Sequence, residues 1–267
     1  MSAVHQNSII GFVWQPEEIT PAVIQMVQRT KSRAIFDFSM MEGTDDLYSC
    51  LRAADPAGLV RDIKILAPAL MDPSLGLVLK GKGVQNLWVE FSLADSDEDI
   101  SLFLKKLQEI SKECCCFPIT GDTDFVAKML KDDSDIGRIV LKGCEASGFV
   151  SRETTMSLYA MAKKMVSSSS TSFDSTPFDI LIWGGVFIPD GAAAFLSTGA
   201  AGIVFESVHW LTDMVKIDDS QRDWICQLRP DSTDLVGLDI EVPCRLFNKG
   251  NSLAFKEIKA YEDSLCG

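Results

Sequence analysis

The residues best suited to chemistry stand where three short apolar runs give way to glycine or to a polar pair. Arg138-Ile-Val-Leu-Lys142 leads into Gly143-Cys144-Glu145-Ala146-Ser147-Gly148. Asp179-Ile-Leu-Ile-Trp183 leads into Gly184-Gly185-Val186, and Gly202-Ile-Val-Phe205 leads into Glu206-Ser207. Glycine at such a turn lets a ligand come close to the backbone. A parallel barrel that binds a phosphate usually does so in the loops after its last two strands. The chemistry suggested is therefore capture of a phosphate-bearing ligand.

Three titratable residues stand near these segments, and each has two readings. Cys144 is a nucleophile or a small buried thiol, and no evident base stands beside it. Glu145 is an acid or base at the mouth of the site, or a loop carboxylate held by backbone amides. His209 follows the last apolar run, and it faces the site or packs beside Trp210. The chain has two histidines and eight cysteines but no Cys-x-x-Cys pair, so no metal site is expected.

These residues need a frame. Strand-like runs are Ile9–Trp14, Arg33–Ser39, Asp62–Leu70, Asn86–Phe91, Cys115–Thr120, Arg138–Lys142, Asp179–Trp183 and Gly202–Phe205. Several are rich in Ile, Val, Phe or Trp, as buried parallel strands are. Helix-like runs lie between them: Pro21–Lys31, Asp97–Cys114, Thr123–Lys131, one opening near a cap at Ser151, and Asp190–Thr198 ended by Gly199. In Asp97–Cys114, Ile100, Phe103, Leu104, Leu107 and Ile110 fall at helical spacing. Eight βα units in about 210 residues predict an α/β fold, a closed (β/α)8 barrel. The competitor is an open doubly wound sheet, which would carry its glycine loop after the first strand, where Gln15-Pro-Glu-Glu18 has none. The barrel is assigned to residues 1–212. Residues 213–267 form a C-terminal extension with enough apolar side chains to pack on it. The serine run Ser167–Ser172 reads as a solvated loop.

Composition narrows the function. The 267 residues carry a net charge of −13, which argues against nucleic acid and against anionic membrane surfaces. No apolar run approaches the ~18 residues of a spanning helix, and Met1-Ser-Ala-Val-His-Gln-Asn7 lacks the features of a secretory signal. The cysteines then read as thiols in a reducing, cytoplasmic compartment.

Residues 138–207 resemble the nitronate monooxygenase family, once called 2-nitropropane dioxygenase, which includes flavin-type enoyl reductases. The resemblance rests on Gly143-Cys-Glu-Ala-Ser-Gly148, Gly184-Gly185-Val186 and Gly199-Ala-Ala-Gly202. Trp183–Val186, Ala192–Thr212 and the tail Cys244–Leu253 are similar to a subgroup found in polyketide-type megasynthases. The resemblance implies an FMN-binding (β/α)8 barrel acting on acyl-chain or acyl-carrier-protein-bound substrates, possible neighbours being megasynthase domains. It also implies a set of site residues. Gly184 and Gly185 match the loop around the FMN phosphate, and Glu206 and Ser207 match a Gly-Thr pair that closes the phosphate site. Gly143, Ala146, Ser147 and Gly148 match the loop beside the flavin ring, with Lys142 leading into it.

Two departures qualify that implication. Phe149 stands where the nitronate enzymes carry a histidine base, and phenylalanine cannot accept a proton. Flavin hydride transfer is less affected, because the flavin carries the electron chemistry. Glu206 puts a carboxylate where a phosphate would bind. At 4 Å and an effective dielectric near 20, such a pair costs about 4 kcal/mol, or about three decades of affinity. That cost vanishes if Glu206 turns away, is protonated, or pairs with a cation such as Lys142. The alternative reading is a non-catalytic barrel, a scaffold or docking module in an acyl-assembly system.

Overall fold

The computed structural model describes residues 8–40, 44–55, 58–93, 95–131, 136–169, 178–206, 208–211, 218–248 and 252–265. Eight parallel strands close into a barrel: β1 (Ile9–Trp14), β2 (Arg33–Asp37), β3 (Asp62–Leu66), β4 (Asn86–Glu90), β5 (Cys115–Thr120), β6 (Arg138–Lys142), β8 (Asp179–Trp183) and β9 (Gly202–Phe205). Closure is made by β9 on β1, in the register Ile9↔Gly202 to Phe12↔Phe205. The eight strand positions read from the sequence are all present. Three end sooner than expected: β2 stops at Asp37, β4 stops at Glu90, and after Leu66 the chain turns into a 3-10 helix, Ala67–Met71.

Helices α1 (Pro21–Thr30), α2 (Thr44–Ala54), α3 (Leu75–Lys82), α4 (Asp97–Ile110), α5 (Thr123–Lys131), α6 (Thr155–Ser168) and α7 (Pro189–Ser197) follow successive barrel strands. Their sequences explain their ends. In α4, Ser96 accepts from the Asp99 amide, three acidic residues occupy the first turn, and Ile100, Phe103, Leu104 and Leu107 are buried. α6 is capped by Thr154, whose side chain accepts from the Ser157 amide, rather than by Ser151. Ser167 and Ser168 belong to this helix and not to a loop, because the helical pattern runs on into the serines. The remainder of that run, 170–172, lies outside the described residues.

Strand alternation sorts the core into two bodies. Phe36, Ile63, Leu87, Ile139, Ile182 and Ile203 pack outward beneath the helices. Val13, Ile35, Trp88, Phe117, Val140 and Trp183 fill the barrel. The consecutive cysteines divide the same way: Cys116 is buried, while Cys115 accepts a hydrogen bond from the Arg138 guanidinium at 2.9 Å.

Beyond the barrel come α8 (Asp219–Cys226), β10 (Thr233–Val236), β11 (Cys244–Phe247) and α9 (Leu253–Leu265). A short strand unexpected from the sequence, β7 (Gly148–Phe149), leaves the loop after β6 and pairs with β11 in the antiparallel register Cys244↔Phe149 and Arg245↔Gly148. The Val150 amide adds a bond to the Pro243 carbonyl at 3.0 Å. A three-stranded sheet, in the order β10-β11-β7, thereby joins the C-terminal segment to the barrel's C-terminal end. No helix among the described residues is long and apolar enough to cross a membrane.

Candidate functional site

The C-terminal mouth of the barrel carries charge inside it. Lys64 of β3 and Lys142 at the end of β6 both bind Glu90 at the end of β4, with Nζ–Oε distances of 2.7 and 2.6 Å. Lys64 also reaches Asp37 Oδ2 at 2.9 Å and Ser39 Oγ at 3.0 Å. Both ammonium groups lie over the Trp183 ring, 5.8 and 5.9 Å from its centroid. Two cations and two carboxylates leave the cluster neutral. Burial alone would raise Glu90, but Lys142 and then Lys64 outweigh it and hold the carboxyl below its ordinary value. Burial would likewise lower Lys64, yet Glu90 and Asp37 raise it above the ordinary lysine value. Such a lysine is no nucleophile near neutral pH.

The glycine-bearing loops meet beside this cluster. The Ser147 amide donates to Glu206 Oε2 at 2.8 Å, and Trp183 Nε1 donates to Glu206 Oε1 at 2.7 Å. Glu206 is not paired with Lys142, whose ammonium binds Glu90. Gly184 adopts a left-handed backbone (φ 73°), and a Cβ there would lie 2.5 Å from Ala146 Cβ and 3.2 Å from Glu206 Oε2. A Cβ on Gly143 would clash with the backbone and hydroxyl of Thr155. These glycines thus let the chain approach itself. Gly185 follows in the β8 loop, facing Thr155 and Glu145. Gly148 has moved into β7. Ser207 lies outside the described residues.

The three titratable candidates each have defined neighbours in the fold. Glu145 Oε2 accepts from both the amide and the hydroxyl of Thr155, each at 2.8 Å, and so holds the start of α6. The Cys144 thiol is pushed up by burial and by neighbouring Glu145, while its carbonyl accepts from Arg245. His209 packs on Trp14 at 4.2 Å and on Phe12 at 5.9 Å, and burial lowers it to about 4. Phe149 stands half-exposed at the edge of the mouth. Above Glu90 and Lys142, Thr120, Phe149, Val150 and Pro243 enclose a cavity of about 10 Å³, room for about one water. Among the described residues no group of three metal-ligating side chains occurs.

Sequence reading missed Asp37, Lys64 and Glu90. The signal was there: Asp62-Ile-Lys64-Ile-Leu66 and Leu87-Trp-Val-Glu90 carry charges inside runs that should be apolar on both faces. An inward charge on such a strand needs an inward partner.

A closed parallel barrel with glycine-bearing loops after its sixth and seventh strands is the class defined here. No family model and no curated protein matches the chain. Among solved structures it is similar to FabK from Thermotoga maritima, at 13% identity and a TM-score of 0.70, over 98% of this chain and 78% of that one. It is also similar to the enoyl reductase domain of MlnA, from the macrolactin biosynthesis cluster of Bacillus amyloliquefaciens (10%, TM-score 0.66, covering 97% and 67%). A third is nitroalkane oxidase from Streptomyces ansochromogenes (14%, TM-score 0.59, covering 92% and 79%). The expected likeness therefore holds at the level of fold.

Whether FMN suits these residues can be judged from the loops. The Ser147 amide and the N-terminus of α7, whose Ile188 cap makes no side-chain bond, are donors of the kind a phosphate takes. In the conformation described, the Ser147 donor is held by Glu206, and the cavity over Glu90 falls far short of the ~300 Å³ of a small ligand pocket. The backbone suits the group, and a phosphate could take the Ser147 amide only once Glu206 releases it.

Proposed function

We propose that this chain is a flavin-type oxidoreductase barrel of acyl assembly, enoyl-reductase-like rather than nitronate-oxidising, with an acyl thioester as substrate. The observation carrying this reading is the convergence of the β6 and β8 loops on one anion-binding point at the mouth. FMN, when bound, would supply the electron chemistry of hydride transfer. Ser147, Gly184, Gly185 and the start of α7 would hold its phosphate, which requires Glu206 to turn away. Phe149 offers no base, and neither His209 nor Cys144 stands ready to replace one. Acyl-carrier domains would be its partners, in a cytoplasmic setting that keeps the cysteines reduced.

A second reading, a barrel repurposed as a scaffold in such an assembly, is favoured by the closed Lys64–Glu90–Lys142 cluster and by Glu206. The test is to titrate FMN into purified protein, following quenching of flavin fluorescence, and then to assay reduction of a 2-enoyl thioester by NADH or NADPH. Saturable flavin binding with turnover supports the oxidoreductase. Colourless protein that leaves flavin fluorescence unchanged supports the scaffold.

A further inference from the structure

We infer that Glu206 is an internal ligand: its carboxylate fills the anion site at the barrel mouth and excludes phosphate from it. The two oxygens are used separately, Oε2 by the Ser147 amide at 2.8 Å and Oε1 by the Trp183 indole at 2.7 Å. These donors come from different strand ends, the loop after β6 and the last residue of β8, while the acceptor follows β9. Two separate chain segments thus converge on a carboxylate carried by a third. Gly184 brings Oε2 against its own backbone, 3.2 Å from where a Cβ would stand. This is how a backbone loop and an indole would grip an external oxyanion. The cations nearby do not compete for Glu206, since Lys142 and Lys64 are both held by Glu90.

The chain therefore carries in Glu206 a substitute for the phosphate its loops are shaped to receive. The ligand class of the released site is a phosphate monoester or inorganic phosphate. This inference rests on the mouth being an anion site, not on FMN being the anion, so the two can fail separately.

The test uses the full chain, with Glu206→Ala and Glu206→Gly, titrated with inorganic phosphate and separately with FMN. The readouts are calorimetry and the NMR signals of the Ser147 amide and the Trp183 indole N–H. In the unsubstituted protein, phosphate should leave both signals in place. In the variants both should move, with phosphate bound at least about 100-fold more tightly, as expected when a competing charge is removed. Glu206→Ala empties the site and suits the backbone at 206, which has no positive φ, so it keeps the test open if Glu206→Gly unfolds. Phosphate shifting both signals equally in all three proteins would overturn the inference, as would no phosphate binding by folded Glu206→Ala. Variants that bind phosphate but not FMN would uphold it and sink the flavin reading. Tight FMN binding by the unsubstituted protein would do the reverse.

Discussion

The two ends of the barrel use the same device for different ends. At the N-terminal end Trp88 Nε1 donates to Asp62 at 3.0 Å, and at the mouth Trp183 Nε1 donates to Glu206 at 2.7 Å. The two indoles meet inside, 5.9 Å between centroids. Asp62 opens β3 and is also bound by Arg33 at 3.0 Å, while Arg33 and Arg138 lie over the Phe117 ring. Every member of that end belongs to a strand, so it is a structural plug. Glu206 stands just beyond β9 and takes its second bond from a loop amide. Loops can rearrange where strands cannot. A carboxylate in the strand end is part of the fold, whereas one held by a loop can be exchanged for a ligand.

The contrast can be broken most sharply at Glu90. Glu90→Gln leaves buried Lys142 without a carboxylate partner and Lys64 with Asp37 alone, which should cost about 3–5 kcal/mol in denaturant unfolding. A cost below about 1 kcal/mol would show that the mouth cluster is open to water rather than buried.

Acid offers the next test. His209 is held neutral, with its value lowered from 6.5 to about 4. The unfolded chain then binds more protons than the folded one between these values. Stability should be complete above pH 6.5, fall as pH drops toward 4, and lose about 3 kcal/mol in all. His209→Phe should flatten this limb, as read by unfolding midpoints across pH. An unchanged slope would remove His209 as its source.

Gly143→Ala should cost about 2–3 kcal/mol, since its Cβ would overlap Thr155 and displace the start of α6. A neutral result, measured by thermal unfolding, would mean that the loop relaxes and that its glycine serves a ligand instead.

The smallest effect is expected at the plug. Burial, the largest influence on Asp62, holds its carboxyl above the ordinary value despite Arg33. Its contribution to stability therefore grows as pH falls, the opposite sense from Glu90. Asp62→Asn keeps an acceptor for Trp88 and should cost about 1 kcal/mol. A larger loss than for Glu90→Gln would reverse the order of the two ends.

Much of the frame was legible in the chain because strand and helix patterns are local. The eight apolar runs, the helical spacing of Ile100, Phe103, Leu104 and Leu107 and the alternation of Cys115 and Cys116 follow from side-chain periods of 2 and 3.6. The meeting of the β6, β8 and β9 ends was also readable, since each turn follows its own strand. What a single stretch of sequence cannot carry is pairing across the barrel. Glu90 and Lys142 are 52 residues apart, and Glu206 and Ser147 are 59 apart. Nor does Gly148-Phe149 announce a strand, because two residues have no period and β7 exists only through β11. The sequence by itself determined the strands, the helices and which residue types stand at the mouth. Only the closed sheet decided which charges face one another, and so that the anion held at the mouth is the chain's own Glu206.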